Sequence, residues 1–467
     1  MQLLHSPGRT RAVFDDPNLL AHAGLGPLVA LAGRAGLPES LAGVRPGDPG
    51  GANAGTKAMC LVAGMAAGAG SIDDMDLLRD GAMGTLFGGV RAPSTLGSFL
   101  RSCTWGNVRQ LDAAHRRLTT ALAQDPRLLP GGETLAFVDI DATQHRVYGY
   151  QKEGAAYGHA KVASKPVLVK GLNPLLSVIS TPLSAPVLGP VRLRGGNAGS
   201  ARGAASLAAE AIGTARACGC TGKIVLRFDS AYYNSAVIRA VRRNGAYFSV
   251  TVPMNSSITN AIGRIPEQAW TAIRYPQAIW DDQLSCWVSD AEVAEIAYTA
   301  FASRKKSEQV TARLIVRRVR ARNEQAAQGQ DELFPAWRYH AVFTDSPFEL
   351  VQSEAQHRDH AIVEQVIADL GAGPLAHLPS GVFTANAAWL VLAAIAHNLL
   401  RAAGTRVGGR YAKARTATIR RDLITMPART ARHGRGHLTL HLPEGHHREQ
   451  AWLNLWTDAC GPPARAA

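Results

Sequence analysis

Two apolar segments that end in carboxylates constrain the fold of this chain most strongly. Residues 134–144 read TLAFVDIDATQ and residues 223–230 read KIVLRFDS. Both are rich in β-branched and aromatic residues, which favours strands. Because side chains alternate along a strand, Asp139 and Asp141 are expected on one face at its end, and Asp229 ends the second strand. Neighbouring like charges need a neutralising partner, so the pattern predicts a metal site, with a solvated surface loop as the alternative.

The charge balance of the chain indicates a polyanionic partner. The 467 residues are 46% hydrophobic, enough for a large core, and carry a formal charge of +14. Such an excess favours DNA, RNA or anionic lipid as partner. Near the C-terminus this charge is either an ordinary solvated face or a phosphate-binding surface, and its unbalanced excess favours phosphate. The residues concerned are Arg401, Arg406, Arg410, Lys413, Arg415, Arg420, Arg421, Arg429, Arg432 and Arg435.

Cysteine usage and hydropathy bear on location. The six cysteines show no zinc-binding spacing, which favours reduced thiols and a cytoplasmic protein. The N-terminus lacks the apolar core of a signal peptide. The longest apolar run, residues 387–396, is shorter than the roughly 20 residues that span a bilayer. We therefore expect a buried helix there and no membrane association.

Periodicity predicts an α/β fold, in the order three strands, helix, strand, helix, strand, with additional parts. The N-terminal helices either bind DNA, as in a helix-turn-helix, or form a structural cap. In the next part, segments 166–170 and 175–180 are predicted as two strands joined by a turn, and 186–193 as an edge strand or loop. The predicted domains are 1–130, helical and N-terminal; 131–253, the first α/β part; 254–336, a β-rich insertion with a polar loop at 323–332; 337–403, the second α/β part; and 404–467, a basic C-terminal region.

A third acidic side chain is predicted on a helix spanning residues 353–370. Positions three, four and seven residues apart share a helical face, so His357, His360 and Glu364 are expected on one side. If that side faces the strand ends, Glu364 can join Asp141 and Asp229 around divalent ions. Such oxygen ligands suit Mg²⁺ or Mn²⁺. Two ions about 3.5 to 4 Å apart can activate a water or a 3′-hydroxyl and stabilise the leaving oxygen of a phosphodiester.

At these residues the chain resembles the DDE transposases of bacterial insertion sequences, most closely the insertion sequence 1380 family. The resemblance covers about residues 137–401. The segments that carry it are DIDAT at 139–143, LRGGN at 193–197, RFDS at 227–230, HRDHAIVEQVIADL at 357–370 and SGVFTAN at 380–386. It implies a ribonuclease-H-like catalytic domain, with a mixed sheet flanked by helices, interrupted by a β insertion.

The resemblance also implies roles for individual residues. The acidic triad of the family falls on Asp141, Asp229 and Glu364, and the threonine that follows its first aspartate falls on Thr143. The wider family places Tyr and Arg seven and four residues before the glutamate and Lys seven after it, where this chain has His357, His360 and Gly371. Gly371 cannot replace a cation, so either another residue such as Arg358 or Arg401 supplies that contact, or this copy is impaired.

The remaining candidates have both structural and functional interpretations. Asp139 is expected to support the site rather than bind metal. His357 and His360 either donate to DNA phosphates or are polar positions on a half-exposed helix. Asn386 either contacts DNA or begins a helix.

Three functions follow from these residues. The first is a cut-and-paste transposase that binds the inverted repeats of its element and uses Mg²⁺; the resemblance implies at least two protomers in the synaptic complex. The second is a DNA-binding protein without catalysis, and the third is a ribonuclease-H-like nuclease that cannot join strands.

Overall fold

The computed structural model describes residues 1, 4–47, 50–124, 128–162, 165–275, 278–283, 286–288, 291–320 and 337–461. The helices are α1 Leu25–Arg34, α2 Leu37–Ala42, α3 Ala54–Ala67, α4 Met83–Leu86, α5 Pro93–Ser102, α6 Trp105–Ala123, α7 Ala204–Ala217, α8 Ser235–Arg243, α9 Ser256–Ile262, α10 Leu350–Arg358, α11 Ile362–Gly371, α12 Phe383–Val407, α13 Thr416–Ile419 and α14 Glu449–Cys460. The strands are β1 Leu19–Leu20, β2 Leu135–Ala142, β3 His145–Arg146, β4 Ala156–Val162, β5 Lys165–Ser180, β6 Val187–Gly195, β7 Lys223–Phe228, β8 Tyr247–Thr251, β9 Thr271–Ala272, β10 Ile279–Asp281, β11 Cys286–Val288, β12 Ala291–Ala300, β13 Val310–Arg320, β14 Trp337–Thr344, β15 Ala428–Arg432 and β16 Leu438–His441. The predicted polar loop 323–332 lies outside the described residues.

A mixed sheet organises the fold, and β2 lies inside it. The described residues contribute eleven strands to this sheet. β2 pairs antiparallel with β5 on one side and parallel with β7 on the other, and β7 pairs parallel with β8. Helix α7 packs on β2 and β5, while α11 contacts β2 as well. Because β2 is covered by helices, its first six residues are all buried. This mixed sheet with flanking helices confirms the predicted α/β class and is consistent with a ribonuclease-H-like fold.

The strands next to β2 differ in part from the prediction. Segments 166–170 and 175–180 belong to one strand, β5, rather than to two strands joined by a turn. This strand stays continuous because its first half pairs with β4 and its second half with β2 and β6. The segment 186–193 does form a strand, β6, which pairs with β5 at its outer side. Its prolines fit this position because an outer strand does not need every N–H for pairing.

The predicted β insertion continues the same sheet. β12 and β13 pair antiparallel over ten residues, β13 pairs with β14, and β14 pairs with β8. The insertion also contains α9, which precedes its first strand. Strands β9, β12 and β13 therefore extend the sheet beyond β8, to which β14 connects them, while β10 and β11 pair with each other in a separate two-stranded sheet.

The predicted continuous helix over residues 353–370 was wrong. α10 ends at Arg358, a 3₁₀ turn spans Asp359–Ala361, and α11 begins at Ile362. α10 packs on β12 and β13, whereas α11 packs on β2. The two helices contact different strands, although the rings of His357 and His360 still lie stacked, with centres 6.4 Å apart.

Helix α12 forms the centre of the helical part. It packs against α1, α3, α5, α6 and α14 as well as against β6. Among the described residues it is the one helix long and apolar enough to cross a membrane, and 89% of its most apolar 18-residue window is buried inside the protein. The prediction of a buried helix at residues 387–396 is therefore confirmed.

The two termini pack together. β1 pairs with β15, and α1 packs on α14. The N-terminal helices and the basic C-terminal region thus share one core around α12.

Candidate active site

The first two predicted carboxylates lie at the ends of adjacent parallel strands. In the ladder between β2 and β7, Asp139 is the partner of Arg227. Continuing this register by two residues places Asp229 beside Asp141. Neighbouring strands are about 4.8 Å apart, so the two carboxylates leave the same edge of the sheet close together. Asp141 is half-buried and Asp229 is exposed.

The turn after β7 connects both carboxylates to a buried tyrosine. Asp229 caps the 3₁₀ turn Ser230–Tyr232, since its Oδ1 accepts a hydrogen bond from the N–H of Ala231 at 3.0 Å. Tyr232 is 1% exposed. Burial raises the pKa of the Tyr232 hydroxyl, and the negative charges of Asp141 and Asp229 raise that pKa further. Both carboxylates therefore act on one hydroxyl at this edge.

Arg194, in the segment LRGGN, brings a buried positive charge to the same region. Its guanidinium donates to the carbonyls of Gly199, Ser200 and Arg202 and to Oδ1 of Asn173. Burial lowers the pKa of Arg194, while the nearby charge of Asp141 raises it. A fixed cation is thus held close to the first carboxylate.

Asp139 is the centre of a buried ion network directly beneath this edge. It is 0% exposed and accepts two hydrogen bonds from Arg227, from Nε and Nη2, both at 2.7 Å. A third comes from Nδ1 of His360 at 2.8 Å. Burial raises the pKa of Asp139, but the charge of Arg227 and the hydrogen bonds from His360 and Arg227 outweigh it, so the pKa lies below its usual value. Asp139 is therefore an ionised support, as predicted, with its oxygens already engaged.

His360 is oriented by this network. Because a carboxylate can only accept, Nδ1 of His360 carries the proton in that hydrogen bond. Burial lowers the pKa of His360, whereas the hydrogen bond and charge of Asp139 raise it, and the net pKa is above its ordinary value. Its side chain keeps 15% of its surface exposed. His360 therefore combines a fixed ring orientation with access to solvent.

His357 lies deeper and has both ring nitrogens engaged. Nδ1 is 2.8 Å from the hydroxyl of Ser249, and Nε2 is 2.9 Å from that of Thr251. Burial and the nearby positive charges of His360 and Arg227 lower its pKa to about 3. His357 is thus a neutral side chain that joins α10 to β8.

Glu364 lies on the third element that was predicted to contribute to the site. Its side chain is exposed on α11, four residues beyond His360. Within the described ranges, no three His, Cys, Asp or Glu side chains lie together closely enough to hold a metal ion. Asp141 and Asp229 thus follow adjacent parallel strands, and the described residues do not form a cluster of three carboxylates around a metal position.

A comparison with known families decides the assignment. The family described as Transposase DDE domain group 1 matches residues 14–458, nearly the whole chain. The chain belongs to the DDE transposase family. A search of curated proteins finds no match. The narrower assignment of this transposase to the insertion sequence 1380 family stays a prediction.

Three further residues predicted to contact DNA lie at different depths in the transposase. Arg358 is 32% exposed and donates from Nε to Glu354 at 2.9 Å. Asn386 is 0% exposed and exchanges hydrogen bonds with the backbone of Ser380. Arg401 is 3% exposed, and its guanidinium donates to backbone carbonyls of residues 412 and 414. In this conformation Asn386 and Arg401 are occupied inside the protein, and Arg358 keeps a solvent-accessible surface.

Much of the C-terminal positive charge is paired within the transposase. Asp422 is 0% exposed and lies within 2.9 Å of Arg410, Arg421 and Arg448. Other pairs are Arg406 with Asp458, Arg415 with Asp369, and Arg429 with Asp16. The side chain of Arg435 lies outside the described part. Several C-terminal arginines therefore form ion pairs inside the protein. Arg410 and Arg421 nevertheless remain about two-thirds exposed.

The sequence interpretation assigned no role to Arg194, Arg227 or Tyr232. The sequence could have predicted an ion pair for Arg227, because a charged residue inside the apolar strand KIVLRF needs a partner when it is buried. Alternation also places Arg227 and Asp229 on one face of β7, as it does Asp139 and Asp141 on β2. Tyr232 gave no such signal, since its burial depends on the turn after β7.

The available donors fit a hard divalent cation in part. Asp141 and Asp229 offer carboxylate oxygens at one edge, the ligand type that Mg²⁺ and Mn²⁺ prefer. Thr143 follows directly and is half-buried, with its N–H bonded to the carbonyl of Pro174 at 3.0 Å. Two carboxylates with room for waters and phosphate oxygens are a common arrangement for Mg²⁺.

Proposed function

We propose that this transposase binds the terminal inverted repeats of its insertion sequence, cleaves the ends with Mg²⁺ or Mn²⁺, and joins the freed 3′-hydroxyls to target DNA. The observation that carries the proposal is the pair Asp141 and Asp229 at the ends of adjacent parallel strands. Membership in the DDE transposase family supports DNA as the substrate.

In this proposal Asp141 and Asp229 hold the cations, and Glu364 completes the ligand set when DNA is bound. The ions would activate the attacking water or 3′-hydroxyl and stabilise the leaving oxygen. Exposure of Glu364 and the 3₁₀ turn at Asp359–Ala361 support a set that is completed on binding, since α11 is connected to α10 by this single turn. If Glu364 joins Asp141 and Asp229 only when DNA and the cation are bound, the three carboxylates also avoid mutual repulsion before the cation arrives.

The buried network would orient the DNA-binding groups. Asp139 fixes the ring of His360, and we assign to His360 a contact with a DNA phosphate beside Asp141. Arg358 is a second candidate for phosphate contact, because part of its guanidinium is exposed. For His357, Asn386 and Arg401 the internal hydrogen bonds favour structural roles. Action as a dimer in a synaptic complex completes the proposal.

The central test is Asp229→Asn in a nicking assay with Mg²⁺. The DNA flanking the gene supplies the inverted repeats for the substrate. Asparagine keeps the shape and can still accept the hydrogen bond from Ala231, so the fold and end binding should be retained while cleavage is lost. A matched control is Asp359→Asn, a nearby acidic residue outside the proposed ligand set. Cleavage retained by Asp229→Asn would falsify the metal-ligand assignment.

A second candidate, DNA binding without catalysis, is favoured by Gly371. The family signature has a lysine at this position. A Cβ added at Gly371 would have no atom within 4 Å, so a longer side chain fits. If the missing cation limits catalysis, Gly371→Lys should increase the cleavage rate, whereas Gly371→Gln should not. A wild-type protein that binds the ends, with no nicking by either the wild type or Gly371→Lys, would identify it as a DNA-binding protein.

A strand-joining assay with a different substrate distinguishes a transposase from a nuclease that cannot join strands. Precut ends with free 3′-hydroxyls are supplied together with a supercoiled target plasmid. Joined products support transposition. Nicking of intact ends without any joining of precut ends would identify the nuclease.

A further inference from the structure

A hairpin next to the candidate active site exposes three tyrosines. We call residues 145–162 and 165–172, which contain β3, β4 and the first half of β5, the tyrosine hairpin. Its exposed rings are Tyr148 at 68%, Tyr150 at 99% and Tyr157 at 64%. The chain has ten tyrosines, and three of them fall within the ten positions from 148 to 157. Large aromatic surfaces exposed together usually indicate a binding site.

The hairpin is firmly anchored at its base. Gln144 donates to the carbonyls of Ala156 and Val169, and accepts from Asn173. Glycines allow the strands to cross closely, since a Cβ on Gly158 would lie 2.4 Å from the carbonyl oxygen of Gly196. The exposed rings therefore extend from a backbone whose position is fixed by packing.

A second anchor holds the loop between β3 and β4. Nζ of Lys152 donates to the carbonyl of Ser380 at 3.1 Å, and the N–H of Glu153 donates to that of Gly381 at 2.9 Å. The carboxylate of Glu153 in turn accepts from the N–H of Phe383, the first residue of α12. Tyr148 and Tyr150 lie between these two anchors.

Charge and register give the hairpin a composition suited to nucleic acid. Residues 145–172 contain five Lys or Arg and one acidic residue. Tyr157 is directly opposite Lys170 in the ladder, which places the ring and the ammonium group on one face. The guanidinium of Arg146 lies 5.1 Å from the centre of the Tyr148 ring. Basic groups interleaved with aromatic rings are typical of surfaces that bind single-stranded nucleic acid.

The position of the hairpin relates it to the candidate cleavage site. β3 begins four residues after Asp141, and Tyr148 lies seven residues after Asp141. An extended chain of seven residues spans at most roughly 24 Å. A DNA strand at the carboxylate edge can therefore reach the tyrosines within a few nucleotides.

We propose that the tyrosine hairpin binds an unpaired DNA strand beside the cleavage site, with Tyr148, Tyr150 and Tyr157 stacking on bases and Arg146 and Lys170 contacting phosphates. This inference rests on the proposed function, because DNA strands separate where ends are cut. Unpaired bases expose faces for stacking, whereas bases inside a duplex are already stacked on each other. A protein partner fits less well, because lysine is depleted at protein interfaces.

The test uses the full-length protein and two fluorescein-labelled probes, a 15-nucleotide oligo(dT) and a 15-base-pair duplex without inverted repeats. Binding is measured by fluorescence anisotropy. The triple variant Tyr148→Ser/Tyr150→Ser/Tyr157→Ser should bind oligo(dT) at least about 10-fold more weakly, with less than about 2-fold change for the duplex. The corresponding triple Phe variant should retain oligo(dT) affinity, because phenylalanine keeps the stacking surface.

Two control variants separate stacking from other effects. Phe14→Ser removes a fully exposed aromatic ring elsewhere and should change neither affinity. Arg146→Gln/Lys170→Gln should weaken both probes and reduce the salt dependence of binding. Circular dichroism checks that each variant is folded, and the Phe variant keeps the test valid if the Ser variant does not fold.

Several outcomes would overturn the inference. Unchanged oligo(dT) affinity in the triple Ser variant, or equal losses for both probes, contradicts base stacking. Unchanged DNA affinity together with an altered oligomeric state in sedimentation velocity identifies the hairpin as a protein interface. Asp229→Asn distinguishes this inference from the proposed function, because it should lose cleavage while binding oligo(dT) like the wild type.

Discussion

Asp139 and Asp141 lie two residues apart on the same face of β2, but their surroundings differ completely. Asp139 is fully buried and bonded to Arg227 and His360, whereas Asp141 is half-buried at the edge of the sheet. Part of the difference comes from the turn between α10 and α11, since His360 in that turn bonds directly to Asp139. The carboxylate beneath the edge is thus part of a buried ion network, whereas its neighbour at the edge is the one that we propose as a cation ligand.

The largest expected effect is on the DNA cleavage rate and concerns Asp141, at the edge of the sheet. Asp141→Asn should reduce the rate of metal-dependent end cleavage by about 10⁴-fold or more, because a lost ligand removes several kcal/mol of transition-state stabilisation. Its free energy of unfolding should change by less than about 1 kcal/mol. Single-turnover nicking and urea unfolding measure the two quantities. A large loss of stability would place Asp141 with the buried network instead.

The next effect concerns the buried residue. Asp139→Asn should lower the free energy of unfolding by about 3–5 kcal/mol, because it leaves the buried guanidinium of Arg227 without a counter-charge. Urea unfolding followed by circular dichroism measures the change. The double variant Asp139→Asn/Arg227→Met should be more stable than Asp139→Asn alone. A single variant as stable as the wild type would show that the ion pair is dispensable.

A smaller effect distinguishes buried from exposed arginines in the C-terminal region. Burial lowers the pKa of Arg401 to about 10, and its guanidinium donates to two backbone carbonyls. Arg401→Met should cost about 1–3 kcal/mol of stability. Its affinity for duplex DNA, measured by anisotropy where the protein is folded, should stay within about 2-fold of the wild type. Arg421→Met, at an exposed position, should change the free energy of unfolding less than Arg401→Met does. A selective loss of DNA affinity in Arg401→Met would restore the predicted phosphate contact.

The smallest effect is a dependence of stability on pH. Burial lowers the pKa of His357 to about 3, so below pH 6.5 the unfolded chain binds a proton that the folded chain does not. The stability associated with neutral His357 is therefore complete above pH 6.5 and decreases as the pH falls towards 3. The slope is at most about 1.4 kcal/mol per pH unit for this residue.

Urea unfolding between pH 7.5 and 5 checks this slope. His357→Asn should be less sensitive to acid than the wild type, because asparagine has no proton to take up. His5→Asn, at an exposed position, should leave the slope unchanged. Equal slopes for His357→Asn and the wild type would contradict the prediction. His115 and His397, whose pKa values burial also lowers to about 3, should maintain part of the slope in every variant.

The sequence predicted the elements whose signals are local. Apolar runs ending in Asp139, Asp141 and Asp229 identified β2 and β7, and alternation placed both β2 aspartates on one face. The β-rich character of residues 254–320 and the buried helix α12 followed in the same way from periodicity. These predictions succeed because a strand face or a buried helix depends on the side chains of a short segment.

Contacts between distant segments were decided only by the tertiary structure. The break between α10 and α11 accompanies packing against strands that lie 30 or more residues earlier in the chain, and Glu364 lies beyond that break. Asn386 and Arg401 were predicted to contact DNA, and packing around α12 encloses both. The sequence by itself determined which residues are charged and which strands end in carboxylates. Only the fold decided which charges are neutralised inside the protein, because burial and pairing depend on segments that are distant in the chain.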